Sequence, residues 1–217
     1  MELCEHKNVT GSNAEKIARL CRHLASHPRM IPRYFTESLP KENTPIDLQL
    51  PWISSTAIDF LKDFVSSEHN VVEFGGGGST LFFSKRANHL VCIETDPGWA
   101  KTLSTAIENR KLDNVDLRVF SLPPSEYSTE EEDAYISQLG ENFYDIVLID
   151  CFDFNSNLRK SCFYASEDHI RPGGIIVVDD SWAYHSLRSQ NRAKRWQEFK
   201  SIGPCRPGIT TTDVYFY

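Results

Sequence analysis

The sequence has 217 residues, and its 23 Lys and Arg against 30 Asp and Glu give a formal net charge of −7. A chain of this length, 40% hydrophobic, buries enough surface to fold without disulfides or a metal. Its length indicates one domain with an extension. An acidic chain disfavours a broad phosphate-binding surface, so we expect a small-molecule substrate and no nucleic-acid partner.

No apolar run approaches the roughly 20 residues that span a bilayer, so we expect no membrane partner. The N-terminal residues lack the apolar core of a signal peptide, which predicts a cytoplasmic protein. Six scattered cysteines without a Cys-x-x-Cys pair are typical of free thiols in a reducing compartment. The sequence does not indicate an oligomeric state.

Residues 1–52 are predicted to form a helical and irregular N-terminal cap that precedes a domain at 53–217. Ser12 and Glu15 have the spacing of a capping box, and apolar residues at helical spacing continue until Pro28. Five prolines then fall between positions 28 and 51, which predicts an irregular crossing segment.

Cysteines and histidines of the cap could be taken for a zinc cluster. Against this, Cys21 falls on the apolar face of the predicted helix, and His27 in its last turn suits the helix dipole. We therefore expect no metal site among these residues: Cys4, His6, Cys21, His23 and His27.

Strands and helices alternate over the rest of the chain, which predicts a parallel sheet covered on both faces. The predicted strands are 71–74, 90–93, 115–120, 144–149, 175–178 and 211–217. The predicted helices are 53–64, 79–87, 97–109, the middle of the acidic segment 125–142, 163–170 and a basic helix at 186–200.

Four glycines separate the first of these strands from its helix. Glycine lets the backbone turn tightly and approach a ligand closely, and the helix N-terminus offers unpaired N–H groups. A dinucleotide fingerprint would need glycine where Thr80 stands, so the loop does not favour NAD. Glu73 precedes the glycines, and Glu94 ends the second strand, where a carboxylate can accept both ribose hydroxyls of a nucleoside.

Taken together, these motifs resemble those of class I S-adenosylmethionine (SAM)-dependent methyltransferases over about residues 53–217. The resemblance implies an α/β, Rossmann-like, doubly wound and mostly parallel seven-stranded sheet, with helices on both faces and an N-terminal helical cap. The motifs that carry it are Glu73 to Thr80 (EFGGGGST), Glu94, Tyr144 to Asp150 (YDIVLID) and Arg171 to Asp180 (RPGGIIVVDD).

The same resemblance implies SAM as the cofactor and assigns residues to it. Many relatives have an acid after the third strand to bind adenine; this sequence has Ser121 in that region, so Ser121 or backbone groups would bind the adenine. The implied cofactor-binding residues are Glu73, Gly75, Gly76, Gly77, Ser79, Thr80, Glu94, Ser121 and Asp150.

Asp150, Asp180 and His185 are the candidate catalytic residues, because they follow strands four and five at the edge where open α/β sheets bind ligands. Acids and a histidine around the transfer site favour oxygen as the methyl acceptor. Asp153 and Asp179 could serve there or act as helix caps and loop charges. Trp52 and Trp182 could wall a substrate pocket.

Three alternatives stay open. Asp150 and Asp180 could hold a divalent metal, as in catechol-type O-methyltransferases, but Ser181 replaces the Asn of those relatives, and we predict no metal. Asp150 and Asp153 also resemble the paired acids of aminopropyltransferases such as spermidine synthase, which use decarboxylated SAM. A catalytically silent binding module with the same fold is the third.

Overall fold

A computed structural model describes residues 11–123, 126–153 and 157–217; Cys4 and His6 lie outside these ranges. Its centre is a seven-stranded sheet in the order β3-β2-β1-β4-β5-β7-β6. The strands are β1 (Asn70–Phe74), β2 (His89–Glu94), β3 (Val115–Val119), β4 (Tyr144–Ile149), β5 (Ile170–Asp179), β6 (Arg195–Gly203) and β7 (Arg206–Phe216).

The first five strands are parallel, and β7 runs antiparallel to both β5 and β6. The predicted α/β, seven-stranded architecture is confirmed, and the sheet is mixed because its last two strands form an antiparallel hairpin. Parallel strands that are covered on both faces consist of nearly continuous apolar residues. Residues 71–72 of β1 and 146–149 of β4 follow this pattern, and all of them are buried.

Helices connect the strands and cover both faces. The capping box of Ser12 and Glu15 opens the first helix, and Asp96 caps the helix after β2 through its side chain. The helices are α1 (Asn13–Ser26), α2 (Met30–Arg33), α3 (Pro45–Leu48), α4 (Ser55–Phe64), α5 (Gly78–Ser84), α6 (Pro97–Asn109), α7 (Thr129–Ile136) and α8 (Leu158–Ser166).

Two large apolar clusters form the core. One contains Phe74, Tyr135 and Phe163 beneath α7 and α8. The other contains Ile58 of α4 and Phe83 of α5. The helical packing on both faces fixes the sheet so that the ends of β1, β2, β4 and β5 meet at one edge.

The prediction of a basic helix at 186–200 is wrong. Residues His185–Arg188 form a short 3-10 turn, and β6 occupies Arg195–Gly203. Trp196 pairs with Tyr215, and the register continues along β7. Pairing with a long neighbouring strand outweighs the local helical pattern, because strand preference depends on the partner that the fold supplies.

The helix predicted at 163–170 ends earlier, because Ile170 already belongs to β5. The helix begins at Leu158, whose backbone N–H donates to Asp153 Oδ1 at 2.9 Å. Asp153 therefore acts as a cap for α8.

Part of the N-terminal segment packs against the glycine loop. A Cβ on Gly78 would lie 2.1 Å from the carbonyl oxygen of Leu50 and 2.2 Å from that of Pro45. Further along, the backbone N–H of Cys205 donates to Glu37 O at 2.8 Å. The segment thus contacts both the loop and the β6–β7 hairpin.

In the described ranges no helix has the length and apolarity to cross a membrane. The five described cysteines are free thiols. No group of three or more candidate metal ligands occurs within the same part of the chain.

Candidate active site

The loop after β1 requires glycine for steric reasons. Gly75 has a φ of +89°, and a Cβ there would lie 2.8 Å from the carbonyl oxygen of Asp150. A Cβ on Gly76 would come within 2.5 Å of Cys92 Sγ and of Leu103 Cδ2. The loop therefore lies directly on the ends of β2 and β4, and its outer side faces a cavity.

Glu94 organises this loop through hydrogen bonds. Its Oε2 accepts the backbone N–H of Gly76 at 2.9 Å, and its Oε1 accepts those of Thr95 at 2.7 Å and Asp96 at 2.9 Å. On the other side, Trp99 Nε1 donates to the carbonyl of Gly76 at 2.8 Å. A carboxylate has about four acceptor sites, so Glu94 keeps capacity for one further donor.

Glu73 is fully buried behind the loop. The Thr80 hydroxyl donates to Glu73 Oε1 and accepts the backbone N–H of Gly77 at 3.0 Å. Glu73 Oε2 is buried without a hydrogen-bond partner. Burial raises the pKa of Glu73 to about 7, although the hydrogen bond from Thr80 opposes the shift. Glu73 and Thr80 line neither of the cavities described below. They lie behind the glycine loop and support it through hydrogen bonds.

A cavity of about 350 Å³ lies above the loop at the carboxyl ends of the strands. Eight residues predicted from the sequence line it, together with residues from the N-terminal segment, α5, α6, α8 and β7. The predicted residues are Trp52, Gly75, Gly76, Gly77, Ser79, Glu94, Asp150 and Asp180; the others are Pro45, Gly78, Trp99, Phe152, Arg159 and Arg206.

A second cavity, of about 610 Å³, adjoins the first and shares Glu94, Trp99 and Phe152 with it. It extends toward the segment after β3, where Ser121 lines it. Its remaining lining residues are Thr95, Asp96, Pro97, Leu122 and Pro123. The two cavities thus form a site with Glu94 at the junction.

Asp150 lies at the end of β4, and its Oδ1 pairs with Arg159 Nη2 at 3.0 Å. Burial raises the pKa of Asp150 to about 6, while Arg159 and Arg206 act in the opposite direction. Arg159 also donates from Nε to Cys151 O and from Nη1 to Asp179 O. Its position is therefore fixed by the backbone of two strand ends.

Asp179 and Asp180, at the end of β5, share one arginine. Arg206 Nη1 lies 2.8 Å from Asp180 Oδ1, and Arg206 Nη2 lies 3.2 Å from Asp179 Oδ2. Burial, with the adjacent Asp180, raises the pKa of Asp179 to about 8. Burial acts against the ionised form of Asp180 as well, but Arg206 and Arg159 leave its pKa below the usual value.

Asp179 and three other sequence candidates lie outside both cavities. His185 is exposed on the 3-10 turn after β5 and lines neither cavity. Trp182 lines neither of these two cavities, and its Nε1 donates to Asp180 Oδ1 at 3.1 Å. Asp153 accepts from α8 and from the Tyr184 hydroxyl at 2.8 Å, so its carboxylate serves the helix start.

Sequence reasoning missed four of the lining side chains: Trp99, Phe152, Arg159 and Arg206. Phe152 directly follows the β4 motif, and Trp99 lies in the first turn of the helix after Glu94, so proximity to a motif could have indicated both. No local sequence pattern indicates Arg159 or Arg206 as a lining residue. They reach the site because α8 and β7 begin beside the carboxyl ends of β4 and β5.

This geometry can be compared with that of known proteins. No protein-family model matches the sequence, and no curated protein matches it. Solved structures do match. A Klebsiella pneumoniae protein provisionally assigned as an O-methyltransferase aligns with a TM-score of 0.64 at 15% identity, over 91% of this chain and 98% of that one. The chain has the methyltransferase fold.

Two further methyltransferase structures align over most of their length. The O-methyltransferase TomG of Streptomyces achromogenes, involved in tomaymycin synthesis and crystallised with SAM, aligns with a TM-score of 0.59 at 15% identity, over 86% of this chain and 95% of that one. The O-methyltransferase of Bacillus cereus, in complex with S-adenosylhomocysteine (SAH), gives 0.57 at 15% identity, over 96% and 92%. At this identity the likeness shows the fold.

Proposed function

We propose that this protein is a SAM-dependent methyltransferase that acts on a small-molecule acceptor, with oxygen favoured over nitrogen. The observation that carries the proposal is the pair of adjoining cavities that meet at Glu94, with the carboxylates of Asp150 and Asp180 at one end. Solved O-methyltransferases with the same fold support it. A cytoplasmic location and the absence of a nucleic-acid partner remain predictions.

The lining residues fit such a cofactor. The backbone of Gly75 to Gly77 admits close approach of a ligand, since a Cβ on Gly77 would meet nothing nearer than Trp99 at 3.8 Å. Glu94 would hold the ribose with its remaining acceptor capacity, and Ser121 lies in the cavity that would take the adenine. Asp150 would lie beside the methionine amino group.

When bound, SAM supplies a methyl group on a sulfonium, which is already activated for displacement. The protein then has to align the acceptor and exclude water. An acceptor hydroxyl must also lose its proton, and a base works best when its pKa lies near the working pH. Asp150 meets this requirement, because burial raises its pKa to about 6 and its Oδ2 accepts no hydrogen bond from the described residues.

Asp180 has a different role in this proposal. Its Oδ1 accepts from Arg206, Thr210 and Trp182, whereas its Oδ2 accepts from none of the described residues. Because nearby arginines keep it ionised, Asp180 would accept a hydrogen bond from a second donor group of the acceptor molecule and orient it, while the reacting hydroxyl faces Asp150. Two carboxylates with pKa values shifted in opposite directions are a common basis for such a division of roles.

The aminopropyltransferase alternative is disfavoured by Asp153. That hypothesis needs Asp150 and Asp153 to bind one amine together. Both carboxylate oxygens of Asp153 accept backbone N–H groups, from Leu158 at 2.9 Å and Arg159 at 3.3 Å, and the residue lines neither cavity. A silent binding module is compatible with the fold and is separated from an enzyme by experiment.

Isothermal titration calorimetry with SAM, SAH, NAD and decarboxylated SAM tests the proposal. We expect SAM and SAH to bind and Glu94→Ala to weaken both. A protein that binds neither, or a Glu94→Ala variant that binds as wild type does, would refute it. Preference for decarboxylated SAM would favour aminopropyl transfer. SAM binding without SAH release across a metabolite screen would favour the silent module.

A further inference from the structure

Two arginines of the chain pair with the carboxylates at the acidic end of the first cavity. Asp150 Oδ1 pairs with Arg159 Nη2 at 3.0 Å, and Asp180 Oδ1 pairs with Arg206 Nη1 at 2.8 Å. From the sequence alone, these two carboxylates are possible ligands of a divalent metal. A metal bound between them would have to displace or repel both guanidinium groups, so the side chains do not fit a metal site.

Arg206 is held in place from several directions. Nη1 also donates to Thr210 Oγ1 at 2.6 Å, and Nη2 contacts Asp179 Oδ2 at 3.2 Å. The guanidinium lies 4.9 Å from the centre of the Trp52 ring, a favourable cation–π distance. Contacts with β5, β7 and the N-terminal segment therefore fix the plane of this group before any ligand binds.

Arg206 nevertheless keeps donors for a ligand. An arginine has five N–H groups, and here Nη1 uses both of its hydrogens while Nη2 uses one. Nε–H and the second Nη2–H donate to none of the described residues. The side chain is 20% exposed and lines the first cavity together with Asp150 and Asp180.

We propose that Arg206 donates these free N–H groups to the acceptor oxygen and supplies there the positive charge that a divalent cation would otherwise provide. This inference rests on the proposed methyl transfer. The acceptor hydroxyl passes its proton to Asp150, and an electron pair of the oxygen forms the bond to the methyl carbon. The electron pair of the broken carbon–sulfur bond stays on sulfur. Arg206 keeps its proton throughout, because a guanidinium does not deprotonate in proteins.

Binding of Mn²⁺, measured by electron paramagnetic resonance, tests the charge without any acceptor. We expect wild type to bind no Mn²⁺ at this site. Arg206→Gln should bind one ion at Asp179 and Asp180, because these two carboxylates lose their shared counter-charge while Asp150 stays paired with Arg159; Arg206→Lys keeps the charge and should bind none. Stoichiometric Mn²⁺ binding by wild type that Asp180→Asn abolishes would overturn the proposal, as would an Arg206→Gln variant that binds no ion.

Two further variants are controls: one tests whether the ion binds at Asp180, and the other removes an arginine far from the cavities. Arg206→Gln combined with Asp180→Asn removes one charge of each sign and should fold without gaining Mn²⁺ binding. Arg195→Gln is the matched surface control, since its guanidinium stacks on Phe216 at 3.4 Å and lines neither cavity. Mn²⁺ binding by the double variant as strong as that of Arg206→Gln would show that the ion binds elsewhere and overturn the assignment.

Turnover of an acceptor found by screening provides the second measurement. We expect a chelator to leave the wild-type rate unchanged. We expect Arg206→Gln to lower kcat about 100-fold, which is the loss typical of removing one donor to a developing oxyanion.

Calorimetry should show SAH binding by Arg206→Gln close to that of wild type. Failure of wild type to bind SAH would instead refute the proposed function, while the Mn²⁺ measurement would still report on Arg206. A chelator that abolishes turnover, or an unchanged kcat in Arg206→Gln, would overturn the inference.

Discussion

Glu94 Oε2 accepts the backbone N–H of Gly76 at 2.9 Å, so the acid that ends β2 fixes the glycine loop that follows β1. The contact joins two motifs that are separate in sequence. It places the carboxylate at the junction of both cavities, where it supports the loop and remains able to contact a ligand.

The first prediction concerns this carboxylate. In Glu94→Gln the amide nitrogen would face at least one of the three backbone N–H donors, which leaves a polar group unpaired at a cost of about 1–3 kcal/mol. We expect SAH affinity to fall about 10-fold to 100-fold by calorimetry. Glu108→Gln on the exposed side of α6 should bind SAH as wild type does. Equal affinities for the two variants would contradict this role.

The second prediction tests the contact between the loop and the N-terminal segment. In Gly78→Ala the new Cβ would lie 2.1 Å from Leu50 O and 2.2 Å from Pro45 O, so backbone must move. We expect the free energy of unfolding to fall by about 1–3 kcal/mol, as for other overpacked sites. Gly208→Ala is the control, because a Cβ there meets nothing within 4 Å. Urea denaturation measures both, and an undisturbed Gly78→Ala protein would argue against the packing.

The third prediction is a pH dependence of stability. Burial raises the pKa of Glu73 from 4.5 to about 7, so the folded protein binds this proton more tightly than the unfolded chain. The resulting stabilisation is fully present below about pH 4.5 and is lost as pH rises through about 7, a difference of about 3 kcal/mol.

Glu73→Gln mimics the protonated side chain and should flatten this dependence. We expect its free energy of unfolding to change less between pH 5 and pH 8 (roughly the range over which the carboxyl ionises) than that of wild type. The exposed Glu68→Gln should behave as wild type. Asp150 and Asp179, whose pKa values burial also raises, will contribute a remaining slope. Identical slopes for Glu73→Gln and wild type would rule out this origin.

The fourth prediction uses tryptophan fluorescence. Trp99 lines both cavities and donates to Gly76 O, so a ligand in either cavity changes its surroundings. SAH should alter the emission of wild type, and Trp99→Phe should lose most of that change. Trp196, which packs against Arg188 at 4.5 Å and lines neither cavity, provides the control variant Trp196→Phe. Because Trp52 also lines the first cavity, a full signal in both Trp99→Phe and Trp52→Phe would place the ligand elsewhere.

The prediction of β6 as a helix shows where local pattern fails. Arg188, Arg192 and Lys200 give the segment a basic helical appearance, yet its backbone hydrogen bonds go to β7. Arg188 instead bridges Asp213 and Glu198 at 2.7 Å each. The edge strand β6 is fixed by β7, which begins at Arg206, so a helical pattern read over residues 186–200 does not include the strand that decides the outcome.

The sequence by itself determined the alternation of strands and helices, the glycine turn and the acids that end β2, β4 and β5. Each is a local pattern in which the candidate residue ends or directly follows the strand that positions it. Only the tertiary structure decided that Arg159 and Arg206 pair with Asp150 and Asp180, and that Trp52 packs against Arg206. These contacts join segments up to 154 positions apart, and they form because helix and hairpin packing brings those segments to one edge of the sheet.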